Sequence, residues 1–114
     1  MANPIKIRID GDDIFCRTKH KKNGRTVFWH CEKPFAIAFK GDTPIGMADE
    51  DGDIVGVDKL ESIKIASYHY ETPPATVIAT PDATTGPISF KYSVAAKKNT
   101  DTVLIEDPEI IIDP

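Results

Sequence analysis

The chain holds little of what usually announces a function. Its two cysteines are too few for a disulfide scaffold, and a chain of 114 residues buries enough core not to need one. No run approaches the ~20 apolar residues that cross a bilayer as a helix, so no membrane association is expected. Positive charge is in deficit: 14 Lys and Arg stand against 18 Asp and Glu, a net charge of −4. That excludes a general nucleic-acid binder, which needs a positive surface field, while leaving room for one local basic patch. Catalytic signatures are missing too. There is no Gly-x-Ser-x-Gly elbow, P-loop, glycine-rich dinucleotide turn or His-Glu-x-x-His. The opening Met1-Ala2-Asn3-Pro4 lacks the basic and apolar regions of a signal peptide, so a cytoplasmic location is expected unless a signal was trimmed before residue 1. Helical periodicity is also absent. Residues 58–66 are its only rival, and the alternation of Ile63 and Ile65 favours a strand there.

What is present is alternation. Ile5, Ile7 and Ile9 are interleaved with Lys6 and Arg8; Phe35, Ile37 and Phe39 with Ala36, Ala38 and Lys40; Ile88, Phe90, Tyr92 and Val94 with small or polar residues. A period of two marks strands with one buried face. Residues 107–114 place the β-branched run Ile110, Ile111 and Ile112 between two Asp-Pro pairs, which reads as a last strand. Turn signals recur every 8–12 residues. The chain therefore reads as one domain, residues 1–114: an all-β, antiparallel β-sandwich of about nine short strands. Trp29 and the strand around Phe90 and Tyr92 are assigned to its core.

Asn23-Gly24, between two strand-like runs, is the strongest short hairpin signal. As a two-residue loop it would set Lys22 opposite Arg25, Thr18 opposite Trp29, and Cys16 opposite Cys31. Ile14, Cys16, Thr18, Val27, Trp29 and Cys31 would share one face. The cysteine pair then has three readings. It can be two reduced thiols in the core, which is favoured. It can be a disulfide, since facing Cα atoms ~4.5–5.5 Å apart allow one. It can be part of a metal or redox site, which would need further ligands. For that site His20 lies at the far end of the hairpin, His30 points to the opposite face, and the position of His69 is open.

The reverse face of the same hairpin would carry Phe15, Arg17, Lys19, Phe28 and His30. Aromatic rings interleaved with cations make a candidate interaction face. The plainer reading is a sheet face where cationic stems lie over rings. Residues 19–25 form a local basic tip that guards the hairpin edge. Asp49, Glu50, Asp51 and Asp53 around Gly52 invite a calcium reading, but the glycine falls at the wrong position and no twelfth-position Glu is present. A solvated hairpin turn is expected there.

Trp29, Pro34-Phe35 with Ile37 and Phe39, then Phe90, Tyr92 and Val94, then Asp107-Pro108 with Ile110, Ile111 and Ile112, together resemble a loose group of small bacterial domains. Those look like immunoglobulin-like or cupredoxin-like sandwiches. The resemblance covers the middle and end of the chain and is carried by core-facing positions, so it implies a fold rather than an activity. A copper cupredoxin would also place soft ligands near its last strand. Residues 97–102 and 107–109 contain none, so no type-1 copper site is expected.

The function expected from sequence is a non-catalytic domain that binds an unidentified protein through its loops or a sheet edge, with no catalytic residues and no cofactor. The alternative is a metal-binding or redox module using Cys16 and Cys31. A small hydrolase ranks last.

Overall fold

The computed structural model describes residues 3–114; Met1 and Ala2, which open the N-terminal reading, lie outside the described residues. In chain order its strands are β1 (Ile5–Asp10), β2 (Asp13–Cys16), β3 (Lys19–Lys22), β4 (Thr26–Val27), β5 (Trp29–Cys31), β6 (Phe35–Phe39), β7 (Ile45–Ala48) and β8 (Ile54–Gly56). They continue as β9 (Lys59–Glu61), β10 (Ile63–Ala66), β11 (His69–Glu71), β12 (Ala75–Val77), β13 (Ile88–Asn99), β14 (Thr102–Glu106) and β15 (Glu109–Asp113). Strand accounts for 59% of the described residues, which contain no helix, and no sheet closes into a barrel. The segment 58–66, the one helical rival, is divided between β9 and β10.

Three sheets result. One has the order β10-β11-β5-β1-β2, a second β4-β12-β7-β8, and a third β3-β15-β13-β6-β9, with β14 paired to β13. The expectation of about nine antiparallel strands is corrected in two ways. Runs that read as one strand divide where they pass between sheets: residues 26–31 break at Phe28, so β4 joins the second sheet and β5 the first. Two pairs are also parallel, β1 with β5 and β15 with β3. Parallel partners are distant in sequence, and alternation within a strand carries no sign of which distant strand it will meet.

The core follows the alternation. Phe35, Ile37 and Phe39 are buried on β6 and meet Ala96, Val94 and Tyr92 of β13. Small Ala96 opposite large Phe35 lets the layer fill without a gap. Ile110 and Ile112 are buried on β15. Phe90 is only partly buried and Ile88 is exposed, so the buried stretch of β13 starts later than its sequence pattern suggests. Trp29 has no solvent exposure. Its backbone N–H donates to the Thr72 hydroxyl at 3.0 Å while the Thr72 N–H donates to its carbonyl at 3.1 Å, which satisfies Thr72, the one buried polar residue of the described core.

The Asn23-Gly24 turn forms, with Gly24 at φ 82° and Arg25 N–H donating to the Lys22 carbonyl at 3.2 Å. The hairpin it should close does not. β3 pairs with β15 and β4 with β12. Gly24 N–H donates to the Val77 carbonyl, and the Asn23 side-chain amide reaches the carbonyls of Val77 and Ala79. The turn is thus docked on β12 and the next residues, and its two arms leave for different sheets. Residues 19–22 of the basic tip are a sheet strand, with His20 beside Asp113 at 3.1 Å.

Candidate functional site

The register correction separates the two cysteines. Cys16 pairs with Ile7 across β2 and β1, and Cys31 pairs with Tyr70 across β5 and β11. One step on from the Lys6–His30 pair, Ile7 also stands beside Cys31, so β1 runs between them. Of the face they were expected to share, Ile14, Val27, Trp29 and Cys31 are buried and Cys16 is half-buried, whereas Thr18 lies beyond the end of β2 and is exposed. Burial pushes both thiols above their ordinary range. For Cys16 a contact with the Tyr92 hydroxyl at 3.4 Å partly offsets this; for Cys31 the Lys33 and Glu32 amides do. A protonated thiol is a poor nucleophile and a poor metal ligand. Among the described residues, neither cysteine belongs to a set of three metal-ligating groups.

The five residues of the sequence-derived interaction face divide between sheets. Phe15 on β2 and His30 on β5 share the outer face of the first sheet, with Lys6 and Arg8 of β1 between them. Phe15 is exposed and lies under the Arg8 guanidinium, 5.2 Å from ring centre to carbon, the ordinary stacking of a cation on a ring. Arg17 is exposed after the end of β2. Lys19 belongs to the third sheet. Phe28 is half-buried in the link between β4 and β5, its carbonyl accepting from Ile5 N–H at 2.8 Å. In the acidic turn between β7 and β8, Asp49 Oδ1 accepts from the N–H groups of both Asp51 and Asp53, so that oxygen serves the turn itself.

Two features that the sequence does not announce gather at the other end of the first sheet, on the hairpin of β10 and β11. The first is an unguarded edge. All four residues of β10 are exposed, Ile63 at 55% and Ile65 at 57%, and among the described residues the strand has no neighbour on its outer side. At the tip Tyr68 is 71% exposed with φ 59°, a left-handed conformation costing a bulky residue about 1–2 kcal/mol. Its ring lies 5.7 Å from the Lys33 ammonium. Beside the hairpin is an open cleft of about 400 Å³ lined by Lys33, Lys64, Lys97, Lys98, Tyr68 and Tyr70, with Glu32 its single carboxylate. Lys98 is taken up by Asp12, which leaves three lysines without an acidic partner among the described residues.

The second is a cluster of two imidazoles and a carboxylate. Glu71 on β11 pairs with His30 on β5, and His69 lies two residues before Glu71. Alternation therefore brings all three to the outer face. His69 Nε2 is 2.9 Å from Glu71 Oε2, His30 Nδ1 is 3.9 Å from the same oxygen, and the two rings meet edge to face at 4.6 Å. Burial first, then the neighbouring His69, hold the His30 imidazole below its usual value, so it stays neutral near neutral pH. His30 Nδ1 is closed to solvent and has no hydrogen-bond partner among the described residues.

Comparison with family models, with curated proteins and with solved structures finds no match to this chain.

Proposed function

We propose that this chain is a non-catalytic binding module, its sheets stacked as an immunoglobulin-like or cupredoxin-like β-sandwich, which takes a protein segment by strand addition at β10. The observation that carries the reading is the contrast between this edge and the others. β3 reads Lys-His-Lys-Lys and β9 Lys-Leu-Glu, and such charged strands repel a further strand. β4 is only two residues long, and β8 has three and ends in Gly56. β2 and β14 lie against each other. β10 reads Ile-Lys-Ile-Ala, with both isoleucines in solvent and one charge.

The surroundings of β10 specify the partner. Ile63 shares the outer face with Glu71, while Lys64 pairs with Tyr70 and shares the opposite face with the lysine-lined cleft. An added strand would place alternate side chains on these two faces. The partner that fits is an extended segment alternating apolar residues, laid over Ile63, with acidic residues directed to Lys64, Lys33 and Lys97. This acidic chain carries its local positive charge where such a segment would arrive, which speeds encounter and fixes register.

The test compares capture from a lysate of the source cells by the unaltered chain, by Ile63→Lys with Ile65→Lys, and by Lys64→Glu with Lys97→Glu. The isoleucines and Lys64 are exposed and Lys97 lines the open cleft, so the variants should keep the β-rich circular dichroism of the parent. A partner held by the parent and lost by both variants is the expected outcome. A parent that captures nothing, or variants that capture as well as the parent, would contradict the proposal.

A further inference from the structure

We infer that His30, His69 and Glu71 form a binding site for one first-row divalent transition-metal ion, zinc foremost, bridging β5 and β11. Two imidazole nitrogens and a carboxylate suit zinc and its neighbours, whereas magnesium and calcium prefer all-oxygen sets. Three protein ligands leave one position open for water or an incoming donor.

Around a tetrahedral zinc with bonds of ~2.0–2.1 Å, ligand atoms lie ~3.3 Å apart. The pairs here include 2.9 Å and 3.9 Å, and all three donor atoms fall within 4.8 Å of one another. These values bracket the required spacing, so side-chain rotation alone would seat an ion without moving the backbone. The scaffold is firm. His30 and Glu71 are a registered cross-strand pair, and the next residue, Thr72, is locked to Trp29 by two hydrogen bonds.

An independent observation points the same way. Nearly all buried polar atoms in folded chains have a partner, and one left alone costs about 1–3 kcal/mol. His30 Nδ1 is such an atom, shielded from water and facing the Glu71 carboxylate at a distance too long for a hydrogen bond. A bound cation supplies the missing partner and neutralises Glu71 at once. This site is tested separately from strand addition: Ile63 pairs with Glu71, so the metal titration uses chains in which β10 is unaltered.

The experiment uses the whole chain stripped of metal with a chelator, then titrated with zinc chloride by calorimetry and by histidine-resolved NMR. Saturation at one ion per chain is expected, with the ring signals of His30 and His69 moving and those of His20 staying fixed. His20 is the internal control, being paired with Asp113 on the third sheet. Zinc should raise the melting temperature by several degrees, because only the folded chain offers the assembled site. His69→Ala, at a partly exposed position, and Glu71→Gln should each weaken binding by more than about tenfold. Retained β-rich circular dichroism in His69→Ala shows that the fold is intact; if Glu71→Gln does not fold, His69→Ala alone decides. Absence of saturable binding, binding unaffected by His69→Ala, or binding lost in Cys16→Ala with Cys31→Ala but kept in His69→Ala would overturn the inference.

Discussion

Trp29 donates its indole N–H to the Tyr92 hydroxyl across 3.1 Å at the centre of the core, joining a strand of the first sheet to one of the third. Phe39 completes the aromatic group, its ring 5.0 Å from Tyr92 and 6.4 Å from Trp29. The Cys16 thiol approaches the same hydroxyl at 3.4 Å. One oxygen thus serves two otherwise solitary polar groups in an apolar interior.

Tyr92→Phe should therefore cost more than the loss of a hydroxyl would suggest, because it strands the Trp29 N–H. A loss of about 1–3 kcal/mol in urea unfolding is expected. Trp29→Ala removes the largest buried side chain and should cost about 3–5 kcal/mol. An unchanged midpoint in either variant would mean that this aromatic group does not hold the sheets together.

The buried thiols set the response to alkali. Cys16 is raised above its ordinary value of 9.0 chiefly by burial, so the folded chain keeps a proton that the unfolded chain gives up. That contribution to stability is complete below the unfolded value and is lost as pH rises towards the folded one. Tyr92, raised from 10.0 mainly by burial, adds loss of the same sign at higher pH. The melting temperature should fall as pH rises above 9.0, and Cys16→Ala should flatten the first part of the fall. Thiol titration should find both cysteines slow in the native chain and fast after unfolding; fast native reaction would place them at the surface.

Gly46 and Gly24 separate two kinds of glycine. A Cβ on Gly46 would lie 2.8 Å from the Val55 carbonyl oxygen and 2.9 Å from Ile54, pressing β7 against β8. Gly46→Ala should cost about 1–3 kcal/mol through overpacking. Gly24 has open space around its Cβ position, and only its φ of 82° resists a side chain, so Gly24→Ala should cost about 1–2 kcal/mol. Thermal unfolding of both variants measures the difference. Alanine at Gly46 with no loss of stability would show that β7 and β8 are not closely packed there.

Features that depend only on neighbouring residues are legible in the sequence. The alternation of Phe35, Ile37 and Phe39 needs no partner to be recognised, and a lone Trp29 among alternating apolar residues points inward. Asn23-Gly24 is a turn on the strength of two residues. Pairing is what the sequence conceals. A cross-strand Cys16 and Cys31 would require the tight turn to join neighbours, whereas the β3 and β4 main chains are claimed by β15 and β12 from far along the sequence. The same non-local pairing hides the cluster of His30, His69 and Glu71. The spacing His69-x-Glu71 places both on one face of a strand, but nothing near His30 says that β11 will lie beside it. The edge at β10 is recognisable as a strand from Ile63 and Ile65; that it ends a sheet is a property of topology alone.

Recognition by strand addition at β10 is tested by amide hydrogen exchange of the captured complex. Binding should slow exchange at residues 63–66, where edge N–H groups gain carbonyl partners, and leave the amides around Phe15 and Arg17 as they are in the free chain. Slowed exchange around Phe15 and Arg17 with no change at residues 63–66 would contradict it.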